Sequence, residues 1–151
     1  MEEELVIRVY PDYGNLCSLW VSAELVLHEG EHFMPMPWQL GIGEPLNSRI
    51  LEWTEQFHTF YIEAHDGFDR RPCWEDGFDP EAWHREGAEI VAELEKLFPE
   101  VEILSHFDGY VFSANERRSA KGLLPLTLPG ADKPGHITPQ ELRNRPDQQF
   151  S

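Results

Sequence analysis

Residues 79–107 read DPEAWHREGAEIVAELEKLFPEVEILSHF, and this stretch decides the fold. Asp79 carries a side-chain oxygen that can accept from the free amides of a first turn, Pro80 fits the first helical position, and Glu81 suits the positive end of the dipole. Trp83, Gly87, Ile90, Val91, Leu94, Leu97 and Phe98 recur at three-and-four spacing, so they form one stripe of a helix. Glu81, Arg85 and Glu89 line the opposite side at i, i+4 spacing. Pro99 ends the helix, and VEILSHF (101–107) then alternates as a strand needs. A helix followed by a strand requires a sheet for the strand to join.

The N-terminal stretch supplies that sheet. LVIRVY (5–10) is β-branched and alternating, PDYGN (11–15) holds the residues of a turn, and LCSLWV (16–21) reads as a second strand. The pair predicts a hairpin. ELVLHEG either extends the second strand or forms a third. FMPMPWQLGIGEP (33–45) is punctuated by Pro and Gly and reads as a loop, with apolar anchors at Phe33, Trp38 and Ile42. NSRILEWTEQFHTFYIEAH (47–65) predicts a helix that buries Ile50, Trp53, Thr54, Phe57, Phe60 or Tyr61, and Ala64. Asn47 or Ser48 caps it and Asp66-Gly67 ends it. YVF (110–112) reads as a further short strand. SANE and TPQE match the capping box, predicting short helices near 114–121 and 139–145, with the irregular LLPLTLPGADKPG between them.

These elements predict an α+β fold: a small, mostly antiparallel sheet, two main amphipathic helices packed on one face, and an irregular C-terminal tail. The 151 residues are enough for one core without staples. Composition divides the chain after residue 112. Residues 1–112 hold 24 Asp/Glu against 6 Lys/Arg, a net of −18, and form an acidic α+β domain. Residues 113–151 hold 4 against 6, a net of +2, and form an extension with short helices.

A field this negative repels nucleic acid and anionic membranes, and attracts basic protein surfaces. No apolar run approaches the ~20 residues of a membrane span. The start, MEEE, has neither the basic nor the apolar region of a cleaved signal, so the expectation is a soluble cytoplasmic chain. Cys17 and Cys73 read as free thiols of a reducing compartment, with a disulfide as the alternative.

HEGEH (28–32) matches the zinc-peptidase pattern, in which His28 and His32 would bind metal and Glu29 would activate water. That chemistry needs a helix. Gly30 inside the motif and Pro35 after it work against one, so a charged loop or strand end is the plainer reading. His58 and His65 lie two turns apart on the first predicted helix, too far for one metal without other ligands. DGFD occurs at 66–69 and 76–79 without the dense oxygen ligands of a calcium loop, and reads as a helix terminator and a helix cap. No dinucleotide, phosphate-loop or nucleophile-elbow motif occurs, so no cofactor is expected.

DGFDRRPCWEDGFD (66–79) interleaves Phe68, Trp74 and Phe78 with acids. Rings supply anchor area and carboxylates meet Arg and Lys, which suits a basic protein partner. The competing reading is that the rings finish the core, and a mixed outcome buries Trp74 with the acids outward. The predicted contact residues are Phe68, Asp69, Trp74, Glu75 and Asp76, with the acidic face Glu81, Glu89 and Glu93 as second choice.

DYG-x4-LW (12–20), LEWTEQF (51–57) and GFDPEAWHREGAEIVAELEKLFPEVEI (77–103) resemble a group of small acidic bacterial proteins of unknown function, over about residues 5–107. Size, acidity and the missing catalytic motifs are also similar to immunity proteins of interbacterial toxin systems. That likeness implies a non-enzymatic inhibitor of a basic toxin and carries no site residues. The alternatives are a zinc hydrolase built on HEGEH and a non-catalytic subunit or regulator of a housekeeping complex.

Overall fold

The computed structural model describes residues 5–22, 34–62 and 72–135. The chain is α+β. It packs as two compact units: the described residues of 1–60 and 79–107 form one, those of 61–78 and 108–151 the other. The division does not follow the charge boundary at residue 112.

In the first unit, β1 (Val6–Val9) is the central strand of a three-stranded sheet. It pairs antiparallel with β2 (Leu19–Val21), Arg8 opposite Trp20, and parallel with β5 (Glu102–Ser105), Arg8 opposite Leu104. The hairpin turn forms where PDYGN predicts it: Asp12 Oδ1 accepts from Gly14 N at 2.8 Å. Residues 16–18 do not extend β2. The Asn15 side chain accepts from Cys17 N and donates to Leu19 O, both at 3.0 Å. The backbone curls around this amide, and Ser18 takes φ 61.

α1 (Leu46–Phe60) starts one residue earlier and ends five residues earlier than the sequence predicts. Glu44 does the capping: its carboxylate accepts from Ser48 N and Asn47 Nδ2, and the Ser48 and Asn47 side chains, with the Ser48 amide, hold it below the ordinary glutamate range. α2 (Pro80–Leu97) matches its expectation, with Asp79 accepting from Ala82 N at 3.1 Å. Leu97 is exposed because the apolar stripe leaves the core in the last turn.

The core of this unit joins Ile7, Val9, Leu19 and Val21 of the sheet to Ile50, Trp53 and Phe57 of α1 and to Trp83, Ile90 and Leu94 of α2. Trp53 and Trp83 stack with centroids 4.4 Å apart and planes within 6°. Each indole donates to the other residue's carbonyl, Trp53 to Trp83 at 2.8 Å and Trp83 to Trp53 at 3.0 Å. Burying an indole removes on the order of 200 Å² from water, worth roughly 5 kcal/mol before side-chain entropy. The reciprocal bonds keep both N–H groups satisfied there. Gly87 makes room for the crossing: a Cβ there would lie 2.7 Å from Trp53 and 2.8 Å from Phe107.

Of the loop anchors, Ile42 is buried and Trp38 is 63% exposed, since the loop forms a 3-10 turn at Pro37–Leu40 that carries Trp38 outward. Phe33 lies outside the described residues. Cys17 is free and buried, and donates to Pro35 O at 2.8 Å. Burial pushes its thiol up to about 11, which keeps it protonated and a poor nucleophile.

In the second unit, β3 (Tyr61–Ile62) pairs antiparallel with β4 (Cys73–Trp74). Residues 108–110 form a 3-10 turn and not the start of a strand. α3 (Ala114–Ala120) has the predicted capping box: Ser113 Oγ accepts from Glu116 N, and Glu116 accepts from Ser113 N, both at 3.0 Å. Asn115 clamps the irregular segment after α3 by bonding Leu126 N at 2.6 Å and Leu126 O at 3.1 Å.

Candidate partner-binding loop

The β3–β4 pair positions the first-choice contact residues. Tyr61 faces Trp74 across the ladder and meets it edge-on, at 5.1 Å. Tyr110 meets Tyr61 edge-on at 5.1 Å, and its carbonyl accepts from Trp74 Nε1 at 2.8 Å. Trp74 stacks on Phe78 at 4.8 Å and 8°. The indole is held by a ladder partner, a hydrogen bond and a stacked ring, yet stays half-buried.

Glu75 to Phe78 close a turn between the stacked rings. Phe78 N donates to Glu75 O at 3.2 Å, and Gly77 at the third position takes φ 89, which is cheap only for glycine. The turn projects Glu75 and Asp76, and both are exposed. Among the described residues neither has an ion-pair partner.

The second-choice acids behave differently. Arg49 Nη2 reaches Glu86 at 2.7 Å and Glu89 at 3.2 Å, while Arg49 Nε donates to Glu86 at 3.0 Å. The Arg49 hydrogen bonds hold the Glu86 carboxyl below its usual range, and Glu86 in turn raises Arg49. Glu93 lies 3.5 Å from Lys96. Glu81 is exposed on the first turn of α2, with no ion-pair partner among the described residues. The acidic face of α2 is thus partly neutralised from within the fold.

Phe68 and Asp69 lie outside the described residues, as do His28, Glu29 and His32. Among the described residues no three His, Cys, Asp or Glu side chains come together in a metal-holding group. The structure therefore brings together Trp74, Glu75 and Asp76, and adds Tyr61, Phe78 and Tyr110 as their support. Tyr61 reads as helix and Tyr110 as strand in the sequence. No local signal marks them as neighbours of Trp74, because their contacts span 13 to 49 positions of chain.

An open groove of about 590 Å³ runs along α3, lined by Ser113, Asn115, Glu116, Ser119, Ala120 and Asp132. Its carboxylates are used internally, Glu116 on Ser113 N and Asp132 on the Asn115 amide at 2.7 Å. The turn at 75–78 differs from this groove: its carboxylates are exposed and chemically able to accept hydrogen bonds from a guanidinium or an ammonium, and stacked rings flank it.

No helix among the described residues is long and apolar enough to cross a membrane. No protein-family model, no curated protein and no solved structure matches the chain.

Proposed function

We propose that this chain is an acidic cytoplasmic binding protein, an immunity-type inhibitor that neutralises a basic toxin or effector enzyme by occluding its active site. The observation that carries the reading is the pair of exposed carboxylates Glu75 and Asp76, without an ion-pair partner among the described residues, in the turn that joins two stacked rings. The net charge of −16 supports it, because such a field accelerates encounter with a basic surface. Trp74 and Phe78 supply the short-range part, since pre-ordered rings lose little entropy on contact. The likeness to immunity proteins in size and acidity agrees with this role.

The test begins with a pull-down of tagged protein from native lysate at low and moderate salt, followed by association kinetics with the retained partner. Reversing Glu75→Lys and Asp76→Lys together is expected to slow association roughly tenfold and flatten its salt dependence. Unchanged kinetics would remove the loop from the interface. A second reading, a non-catalytic subunit of a larger complex, is favoured by Leu124, which is 81% exposed on a segment tied to α3 by the bond from Arg118 Nε to its carbonyl at 2.7 Å. Leu124→Asp would abolish partner capture under that reading and leave it intact under the first.

A further inference from the structure

The three-stranded sheet buries Ile7, Val9, Leu19 and Val21 on its core side. Its other side carries an arrangement that the acidic loop does not use. Arg8 is exposed at the centre, with Trp20 of β2 and Leu104 of β5 directly opposite it. Tyr10 stacks on Trp20 at 4.7 Å and 5°, and Trp20 Nε1 donates to Tyr10 O at 2.9 Å. His106, also exposed, meets Tyr10 edge-on at 6.0 Å. Arg8 Nη1 lies 3.3 Å from His106 Nε2. A guanidinium only donates, so in this contact the imidazole nitrogen is the acceptor.

Arg49 and Lys96 find glutamates, whereas Arg8, like Arg85, Arg117, Arg118 and Lys121, has no carboxylate within ion-pair distance among the described residues. What distinguishes Arg8 is its company. It is bordered by two stacked rings and an imidazole, and among the described residues only Nη1 of its guanidinium is engaged, on His106. A planar guanidinium beside rings is weakly hydrated and forks onto a carboxylate.

We propose that Arg8, His106, Tyr10 and Trp20 form a recognition site for a single carboxylate borne on a flat apolar group. The Arg8 fork takes the two oxygens, His106 orients the guanidinium, and Trp20 and Leu104 underlie the apolar body. The chain's own charge narrows the ligand: a monoanion meets far less repulsion than a polyanion such as a nucleic acid. This site is independent of the acidic loop and of its proposed role.

The experiment is an NMR titration of the isotope-labelled full chain with benzoate, acetate and benzamide, following the Arg8, Trp20 and His106 side-chain signals. Benzoate is expected to shift all three saturably, acetate more weakly, and neutral benzamide not at all. Arg8→Gln is expected to weaken benzoate binding roughly tenfold or more with the thermal midpoint unchanged, since Arg8 is exposed. His106→Gln provides a second variant, expected to weaken binding less. Shifts that are absent with benzoate, equal with benzamide, or undiminished in Arg8→Gln would overturn the site.

Discussion

Trp53 and Trp83 stack with centroids 4.4 Å apart, and Trp74 and Phe78 with centroids 4.8 Å apart. Both pairs are near parallel and both contain an indole bonded to a backbone carbonyl. They differ in what lies around them. The first pair is 1–2% exposed, ringed by Phe57 and Phe107, and its two N–H groups bond each other's backbone. The second is half-buried and brackets a turn with two exposed carboxylates that have no ion-pair partner among the described residues. Stacked rings alone therefore say nothing about function. Burial with mutual satisfaction marks a structural pair, while partial burial beside exposed charge is the feature on which the proposed partner site rests.

The comparison breaks most visibly at Trp83. Trp83→Ala removes a buried ring and leaves Trp53 Nε1 facing an altered pocket, and is expected to cost about 3–5 kcal/mol in chemical denaturation. Gly87→Ala places a methyl group within 2.8 Å of two rings, for an expected loss of about 1–3 kcal/mol, read as a fall in thermal midpoint. Trp74→Ala sharpens the contrast. Its ring is only half-buried, so about 1–2 kcal/mol of stability is expected to go, while partner affinity falls by more than stability does.

Smaller effects separate the acids. Arg49 depresses Glu86, so their interaction stabilises the fold fully above the ordinary glutamate value and is lost as pH falls through the lower folded value. Glu86→Gln is thus expected to cost a few tenths to about 1 kcal/mol near neutrality, discounted for exposure, with the gap from wild type closing below about pH 4 in urea melts. Glu75→Lys with Asp76→Lys is expected to move stability by less than about 0.5 kcal/mol, because no partner within the described fold is lost. A larger loss would mean that the loop is structural, like the tryptophan pair.

Much of the architecture was legible. α2 followed from its cap, its Pro and its stripe, and the hairpin from alternation around PDYGN. Both signals are local, so neighbouring residues suffice to state them. The same holds for the capping box of α3. The end of α1 was not legible, because Phe60 and Tyr61 continue an apolar pattern that suits helix and strand alike. Pairing of Tyr61 with Trp74 ends the helix, and that pairing is tertiary. YVF likewise alternates like a strand, but its Tyr110 supplies a carbonyl to Trp74 and the backbone turns to deliver it.

The candidate site was half legible. Trp74, Glu75 and Asp76 stood out because rings and acids crowd one short loop. Which acids are free could not be read there. Glu89 looks as available as Asp76 until Arg49, forty positions away, reaches it. The Arg8 cluster was hidden for the same reason, since its four members lie in or just beyond three strands spread over nearly a hundred residues.

By itself, then, the sequence determined α2 and α3 with their caps, the hairpin, the α+β class and the acidic field, because each depends on neighbours along the chain or on composition alone. Only the tertiary structure decided which indoles are sealed and which stay half-open, which carboxylates are neutralised, and which side chains gather around Arg8. Those outcomes depend on distances between residues far apart in sequence, and packing alone sets them.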